Sequence, residues 1–177
     1  MMTIDAIKAA IPDYAKDIRI NIGRILTEDN AKGLTQKQIY GTALASAFAT
    51  SNQAVIRQLL ELSQPELEDA DIQGIKSAVS IMAMNNIYYR TIGMMSDSIF
   101  SQLQPGLRMQ VIGNPGIPKV DFEIYSLAVS AINGCQHCVD SHSTVLMQSG
   151  INQEGVQSVI RISAVVYALH QINAIED

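Results

Sequence analysis

Apolar residues recur at helical spacing along most of this chain. Ile4, Ile7, Ile11, Ile18, Ile22 and Ile25 stand three, four or seven apart, as one buried helical stripe requires. Thr35 with Gln38, ahead of the apolar run Ile39 to Phe48, reads as a capping box that starts a helix. Pro65 fits the first turn of a long helix reaching about Arg90. Gly113-Asn114-Pro115-Gly116-Ile117-Pro118 is dense in residues that stop regular structure and reads as a loop. Beyond it, the pattern predicts helices over Asp121 to Asn133, broken at Gly134, and over Cys135 to Gln148, ended by Ser149-Gly150. A last helix, Gln153 to Ile172, is apolar nearly all round (Val156, Val159, Ile160, Ala164, Val165, Val166, Ala168, Leu169) and belongs in a core or a subunit interface. No sustained period of two appears between hairpin turns, so the expected fold class is all-α.

A faint internal repeat runs through the pattern. Gln38-Ile39-Tyr40 with Ala43 matches Glu123-Ile124-Tyr125 with Ala128 at an offset of 85 residues, which also sets Ala83 and Ile87 on Ala168 and Ile172. In this register Thr50 and Gln53 fall opposite Cys135 and Cys138. The organisation expected is a single all-helical domain over 1–177, with a scaffold half over about 1–112 and a redox half over about 119–177.

Composition adds constraints. A chain of 177 residues builds one well-buried core but is short for two domains. Hydrophobic residues make up 47% and charged residues 16%, so some apolar surface is expected to lie between subunits. A net charge of -5, with no basic run, argues against nucleic-acid binding. The start lacks the basic and apolar regions of a signal peptide, and no segment reaches roughly 18 uncharged apolar residues, so a soluble cytoplasmic protein without a membrane partner is expected. Both cysteines lie three apart, closing too small a loop to staple a fold; such a disulfide is there to be made and broken.

The chemistry sits in Glu123, eleven residues, Cys135-Gln136-His137-Cys138, three residues, His142. At a helix start, residues three apart bring two sulfurs together, and free N–H groups with the positive dipole end favour thiolate. His142 shares a helix face with Cys138 and can take its proton; Glu123, on the preceding helix, can orient the imidazole. His137, between the cysteines, offers a second proton site. Other readings remain at this point. Cys135, Cys138, His142 and either Glu123 or His137 can form a zinc tetrad, although closed sites usually draw on two separated clusters. Two inert buried thiols are a further reading. Covalent haem attachment is excluded, because Val139 stands where His is required. His170 reads as a satisfied core or interface histidine. Met82, Met84, Met94 and Met95 read as fillers of core or interface gaps, and Tyr88 and Tyr89 as amphipathic packing residues. Glu61, Glu66, Glu68, Asp69 and Asp71 read as a solvated acidic face.

The motif resembles that of the alkyl hydroperoxidase D family, within the wider carboxymuconolactone-decarboxylase-like group. The stretches IPDYAKDI, ASAFAT, AMNNIYYR, LRMQVIGNPGIPK and AVSAINGCQHC carry the likeness along the chain. The resemblance implies a homotrimer of two similar helical halves and a peroxidase acting on alkyl hydroperoxides with no bound cofactor or metal. It further implies electrons from the lipoyl group of a 2-oxo acid dehydrogenase acyltransferase, reduced by dihydrolipoamide dehydrogenase, and transfer to a partner peroxiredoxin. On this reading Cys138 is the peroxidatic thiolate, Cys135 the resolving thiol, His142 the base, Glu123 the orienter or proton relay and His137 an auxiliary proton site. First cysteines of such pairs are often the more exposed, so Cys135 is expected to meet the lipoyl group. A disulfide-relay adaptor with little peroxidase activity, or a decarboxylase-like activity, are the alternatives.

Overall fold

Pro12 cuts the N-terminal apolar stripe in two. In the computed structural model, which describes residues 2–176, α1 spans Ile4–Ala9 and α2 spans Lys16–Ile25, joined through a short turn of 3-10 helix at Asp13–Ala15. Seven further helices follow: α3 Gln36–Thr50, α4 Gln53–Ser63, α5 Asp69–Met94, α6 Ile99–Gln102, α7 Lys119–Asn133, α8 Gln136–Gln148 and α9 Gln153–Glu176. Among the described residues there is no β-strand, and the fold is all-α.

Two central helices, α3 and α7, carry the core. Residues Asp121 to Ser130 of α7 are all buried, as are Gly41 to Ala47 of α3. Such helices need small residues where they touch. A Cβ at Gly41 would overlap the Tyr125 ring and hydroxyl, so glycine lets α7 approach α3 there. The capping box at Thr35 and Gln38 forms as read, with both reciprocal bonds present. The helices α5 and α9 flank this pair, α5 packing on α7 and α8, and α9 on α3 and α7. By length and composition α9 is apolar enough to cross a bilayer. Here one face, Val159, Ile162, Val166 and Leu169, is at most 2% exposed and packs into the core, while Ile160, Tyr167 and Ile175 lie exposed on the other side.

The repeat is real at the level of helices, but its register differs from the one read in the sequence. Both α3 and α7 have fifteen residues and start 83 apart. Each ends in a left-handed residue, Ser51 (φ 59°) or Gly134 (φ 65°), followed by the N-cap of the next helix, Asn52 or Cys135. The buried residues Asp71, Gly74, Ile75, Ala78, Met82 and Asn85 of α5 recur in α9 at 84 as Gly155, Ser158, Val159, Ile162, Val166 and Leu169. Asn52 and Val55, not Thr50 and Gln53, therefore stand opposite Cys135 and Cys138. The three-letter match at 85 aligns Ile87, 55% exposed, with Ile172, 7% exposed, and is coincidental. Gln38 and Asp121 are true counterparts, and the Gln38 amide donates to the Asp121 carboxylate at 2.8 Å, stitching the copies together.

Other readings also change. Pro65 lies in the turn between α4 and α5, and the long helix starts at Asp69 because Glu68 and Asp71 cap it reciprocally. Asp71 is not on a solvated face: it is 5% exposed and pairs with Lys37 at 2.8 Å. Met94 and Met95, 74% and 42% exposed, fill no gap within this chain, whereas Met82 is 1% exposed.

Candidate active site

The site begins where α7 stops. Gly134 adopts the left-handed conformation that glycine tolerates best, and its N–H closes the helix onto Ala131 and Ser130 carbonyls. The chain then leaves extended through Cys135, the N-cap of α8, so the helix starts at Gln136, one residue later than read. The Cys135 sulfur accepts from the Cys138 N–H at 3.4 Å. Cys135 and Cys138 are joined in a disulfide, with Cα atoms 5.3 Å apart, inside the usual span. The N-cap places the Cys135 sulfur where free N–H groups and the helix dipole stabilise a thiolate once the bond opens.

Glu123 lies in the fully buried stretch of α7 and is 4% exposed. A carboxylate in that setting needs a partner. His142 from α8 supplies it, Nδ1 lying 2.6 Å from Oε2. The other ring nitrogen, Nε2, lies 3.2 Å from the Met82 sulfur of α5. A thioether can only accept, so a hydrogen bond here is one that Nε2 donates. Both imidazole nitrogens are thus engaged away from the sulfurs in the disulfide state.

A cavity of about 280 Å³ opens over this group, walled by Met82, Asn85 and Tyr89 of α5 and by Glu123, Cys138 and His142. Cys138, 4% exposed, borders it; Cys135 is fully buried and does not. The expectation that Cys135 is the more exposed sulfur is overturned: its N-cap position turns its side chain into the α7–α8 junction. His137 stands at the rim, on the exposed side of α8, its ring stacked on Tyr89 with centroids 4.9 Å apart. The structure thus brings Glu123, His142 and Cys138 to one cavity, with His137 at its mouth and Cys135 behind.

Three wall residues on α5 went unread in the sequence as site residues, as did Met109, Ile112, Ser141 and Val145 elsewhere on the lining. Met82, Asn85 and Tyr89 lie three and four apart on one face of α5, so a polar Asn within an apolar stripe was the available signal. The first of them is no mere filler and the last no mere packing residue. Nor is His170 satisfied among the described residues: its Nδ1 is buried without a hydrogen-bond partner, and its ring packs edge-on to Tyr167 with centroids 5.5 Å apart. Among the described residues no three His, Cys, Asp or Glu side chains converge on a point that could hold a metal ion.

Comparison with known proteins places this geometry. Residues 101–175 match the carboxymuconolactone decarboxylase family. The chain is similar to the alkyl hydroperoxide reductase AhpD of Coxiella burnetii (strain RSA 493 / Nine Mile phase I), 48% identical over 170 residues that cover 96% of each chain. It is likewise similar to proteins of the same name from Streptomyces avermitilis, 46% identical over 95% of this chain and 93% of that one, and Rhodospirillum centenum, 44% identical over 95% and 89%.

Proposed function

Because the chain belongs to the alkyl hydroperoxide reductase AhpD family, we propose that it is a peroxide-reducing oxidoreductase with an antioxidant role, whose working sulfur is Cys138. One observation carries the reading: Cys138, and not Cys135, borders the cavity that the Glu123–His142 pair also borders. In the reduced protein His142 takes the Cys138 proton on Nε2, and Glu123 steadies the resulting imidazolium. The thiolate attacks the terminal oxygen of an alkyl hydroperoxide; an S–O bond forms, the O–O bond breaks, and the alkoxide leaves with a proton from the His142 or His137 side. Cys135 then attacks the Cys138 sulfenic acid, closing the disulfide and releasing water.

Re-reduction runs through the same sulfur. A dithiol entering the cavity attacks Cys138, and the Cys135 thiolate leaves onto the α8 N-terminus, where a stabilised leaving group departs faster. We assign the donor as the lipoyl group of a 2-oxo acid dehydrogenase acyltransferase, kept reduced by dihydrolipoamide dehydrogenase, with onward transfer to a peroxiredoxin. No bound cofactor is needed for these steps. A cytoplasmic homotrimer is part of the proposal, and exposed Ile99, Phe100 and Leu103 on one segment support burial between subunits.

The test is NADH consumption with lipoamide, dihydrolipoamide dehydrogenase and cumene hydroperoxide. Wild type turns over, while Cys135→Ser and Cys138→Ser do not; only Cys135→Ser accumulates a sulfenic acid. Sulfenic acid on Cys135 in the Cys138→Ser protein would reverse the roles. The match of residues 101–175 to a decarboxylase family favours a second reading, in which activity survives both substitutions. Peroxide turnover that appears only after a peroxiredoxin is added would make the chain a relay adaptor instead.

A further inference from the structure

The cavity wall contains a polar group that neither the fold nor the steps above employ. Asn85 of α5 is 4% exposed, and its Oδ1 is buried without a hydrogen-bond partner. Burying an unpaired carboxamide is costly, so such a group calls for an occupant. Its neighbour shows the contrast. Asn86, also buried, donates to the Ser130 hydroxyl at 2.9 Å and accepts from the Asn133 amide at 2.9 Å, tying α5 to α7. Asn85 instead lies between Met82 and Tyr89 on the wall facing Cys138 and His142. Of the residues with a buried polar atom lacking a partner among the described residues, Asn85 is the one that lines this cavity, and a turn of its carboxamide brings the oxygen to the cavity.

The duplicated helices say what the fold alone would place there. The counterpart of Asn85 in α9 is Leu169, 2% exposed and part of the core. Packing at this position is therefore met by leucine, and the carboxamide is present for something else.

We infer that Asn85 is a substrate-binding residue that holds the hydroperoxide group over Cys138, an inference that rests on the peroxidatic reading of that thiol. A hydroperoxide, R–O–O–H, has one O–H donor on its terminal oxygen and acceptors on both oxygens. A carboxamide matches it with one acceptor and an N–H donor. The oxygen of Asn85 accepts the terminal O–H and fixes that oxygen toward the sulfur. Its N–H donates to the inner oxygen, where negative charge develops as the O–O bond breaks. The terminal oxygen keeps its hydrogen and becomes the sulfenic acid; the inner oxygen leaves as alkoxide and receives the proton taken earlier from the thiol.

The two half-reactions separate this role from a structural one. Only peroxide cleavage presents two adjacent oxygens, whereas reduction of the disulfide by dihydrolipoamide presents none. The pre-reduced full chain is mixed with excess cumene hydroperoxide, and remaining thiols are counted by quenched alkylation; separately, the oxidised chain is reduced with dihydrolipoamide. Asn85→Leu, the residue its counterpart carries, is expected to slow thiol loss by roughly 100- to 1,000-fold, as removal of a charge-stabilising donor does. Its reduction by dihydrolipoamide is expected to stay at the wild-type rate. Asn85→Ala, which cannot crowd the cavity, should show the same split. Wild-type thiol loss in either variant, or parallel slowing of both reactions, overturns the inference while leaving the proposed function standing. A wild-type chain inert to hydroperoxide removes the proposed function and this inference with it.

Discussion

Replacing Glu123 with Gln isolates what the buried carboxylate contributes. The substitution keeps the size and a hydrogen bond to His142 Nδ1 but removes the charge that stabilises the imidazolium. A hydrogen bond to a charged group contributes about 1.5–3 kcal/mol and a neutral one about 0.5–1.5, so about 1–2 kcal/mol is lost. The side chains are only 11% and 6% exposed, so solvent screens little of it. At about 1.4 kcal/mol per tenfold in rate, thiol activation slows by about 5- to 30-fold. The assay is single-turnover loss of thiols from the reduced chain with cumene hydroperoxide, repeated from about pH 6 to about pH 9, on either side of an ordinary thiol. The deficit is expected to be largest near neutrality and to shrink toward high pH, where Cys138 ionises without help. Equal rates across that range, in a variant that melts like the wild type, would refute the coupling and reduce the 2.6 Å contact to a structural pairing.

Two predictions concern the frame that holds the site. The Tyr125 hydroxyl is buried without a partner, and burial holds its phenol well above the ordinary value, so Tyr125→Phe should be neutral or stabilising by about 1 kcal/mol. A thermal melt should then rise by about 2–4 °C, and a fall of that size would reveal a hidden acceptor. Lys37 is raised above its ordinary 10.5, first by its hydrogen bond to Asp71, with Asp71, Glu68 and Asp121 adding attraction against a desolvation cost. A raised cation stabilises the fold fully below its unfolded value and loses that contribution as pH climbs through the folded one. Denaturant titrations should show Lys37→Gln weaker by about 1 kcal/mol at neutral pH, the half-exposed ammonium limiting the gain. That gap should close above about pH 10.5 and not below it.

The elements legible in the sequence were those whose signals are local. Thr35 with Gln38 and the glycine at 134 specify a helix start and stop through bonds spanning a few residues, and both were read where they occur. The motif residues Glu123, Cys138 and His142 converge as their spacing implied, because one left-handed glycine folds α8 back along α7. What escaped depended on distant partners. Pro65 suits a helix start and a turn equally, and the start is set by Glu68 and Asp71 instead. The burial of Asp71 follows from Lys37, far back in the chain. Which face of α5 meets α8 is decided by docking rather than by the α5 pattern, so the polar Asn85 between Met82 and Tyr89 marks the face without saying what it meets. The repeat register failed for a related reason: few identities survive, and the burial pattern and caps that align the copies are visible only in three dimensions.

That corrected register explains why one copy carries chemistry and the other none. Counterparts of Glu123, Cys138 and His142, 83 residues earlier, are Tyr40, Val55 and Leu59; those of Met82 and Asn85, 84 residues later, are Val166 and Leu169. Val55, Leu59, Val166 and Leu169 are all at most 2% exposed and belong to the hydrophobic core. The place between α3, α4 and α9 is thus filled by Val55, Leu59, Val166 and Leu169, where the equivalent place between α7, α8 and α5 is lined with a carboxylate, a thiol, an imidazole, a thioether and a carboxamide. Exchanging core for polar groups at constant backbone geometry has two physical consequences. It leaves volume, here a cavity of about 280 Å³, and it forces the polar groups to satisfy one another at short range, as Glu123, His142 and Met82 do. Cys135 shows the same logic at the helix end, since its counterpart Asn52 caps α4 through its side-chain oxygen as Cys135 caps α8 through sulfur. The redox pair therefore occupies a capping position and a core position that the fold already supplied, and α5 of the first half completes the wall around it.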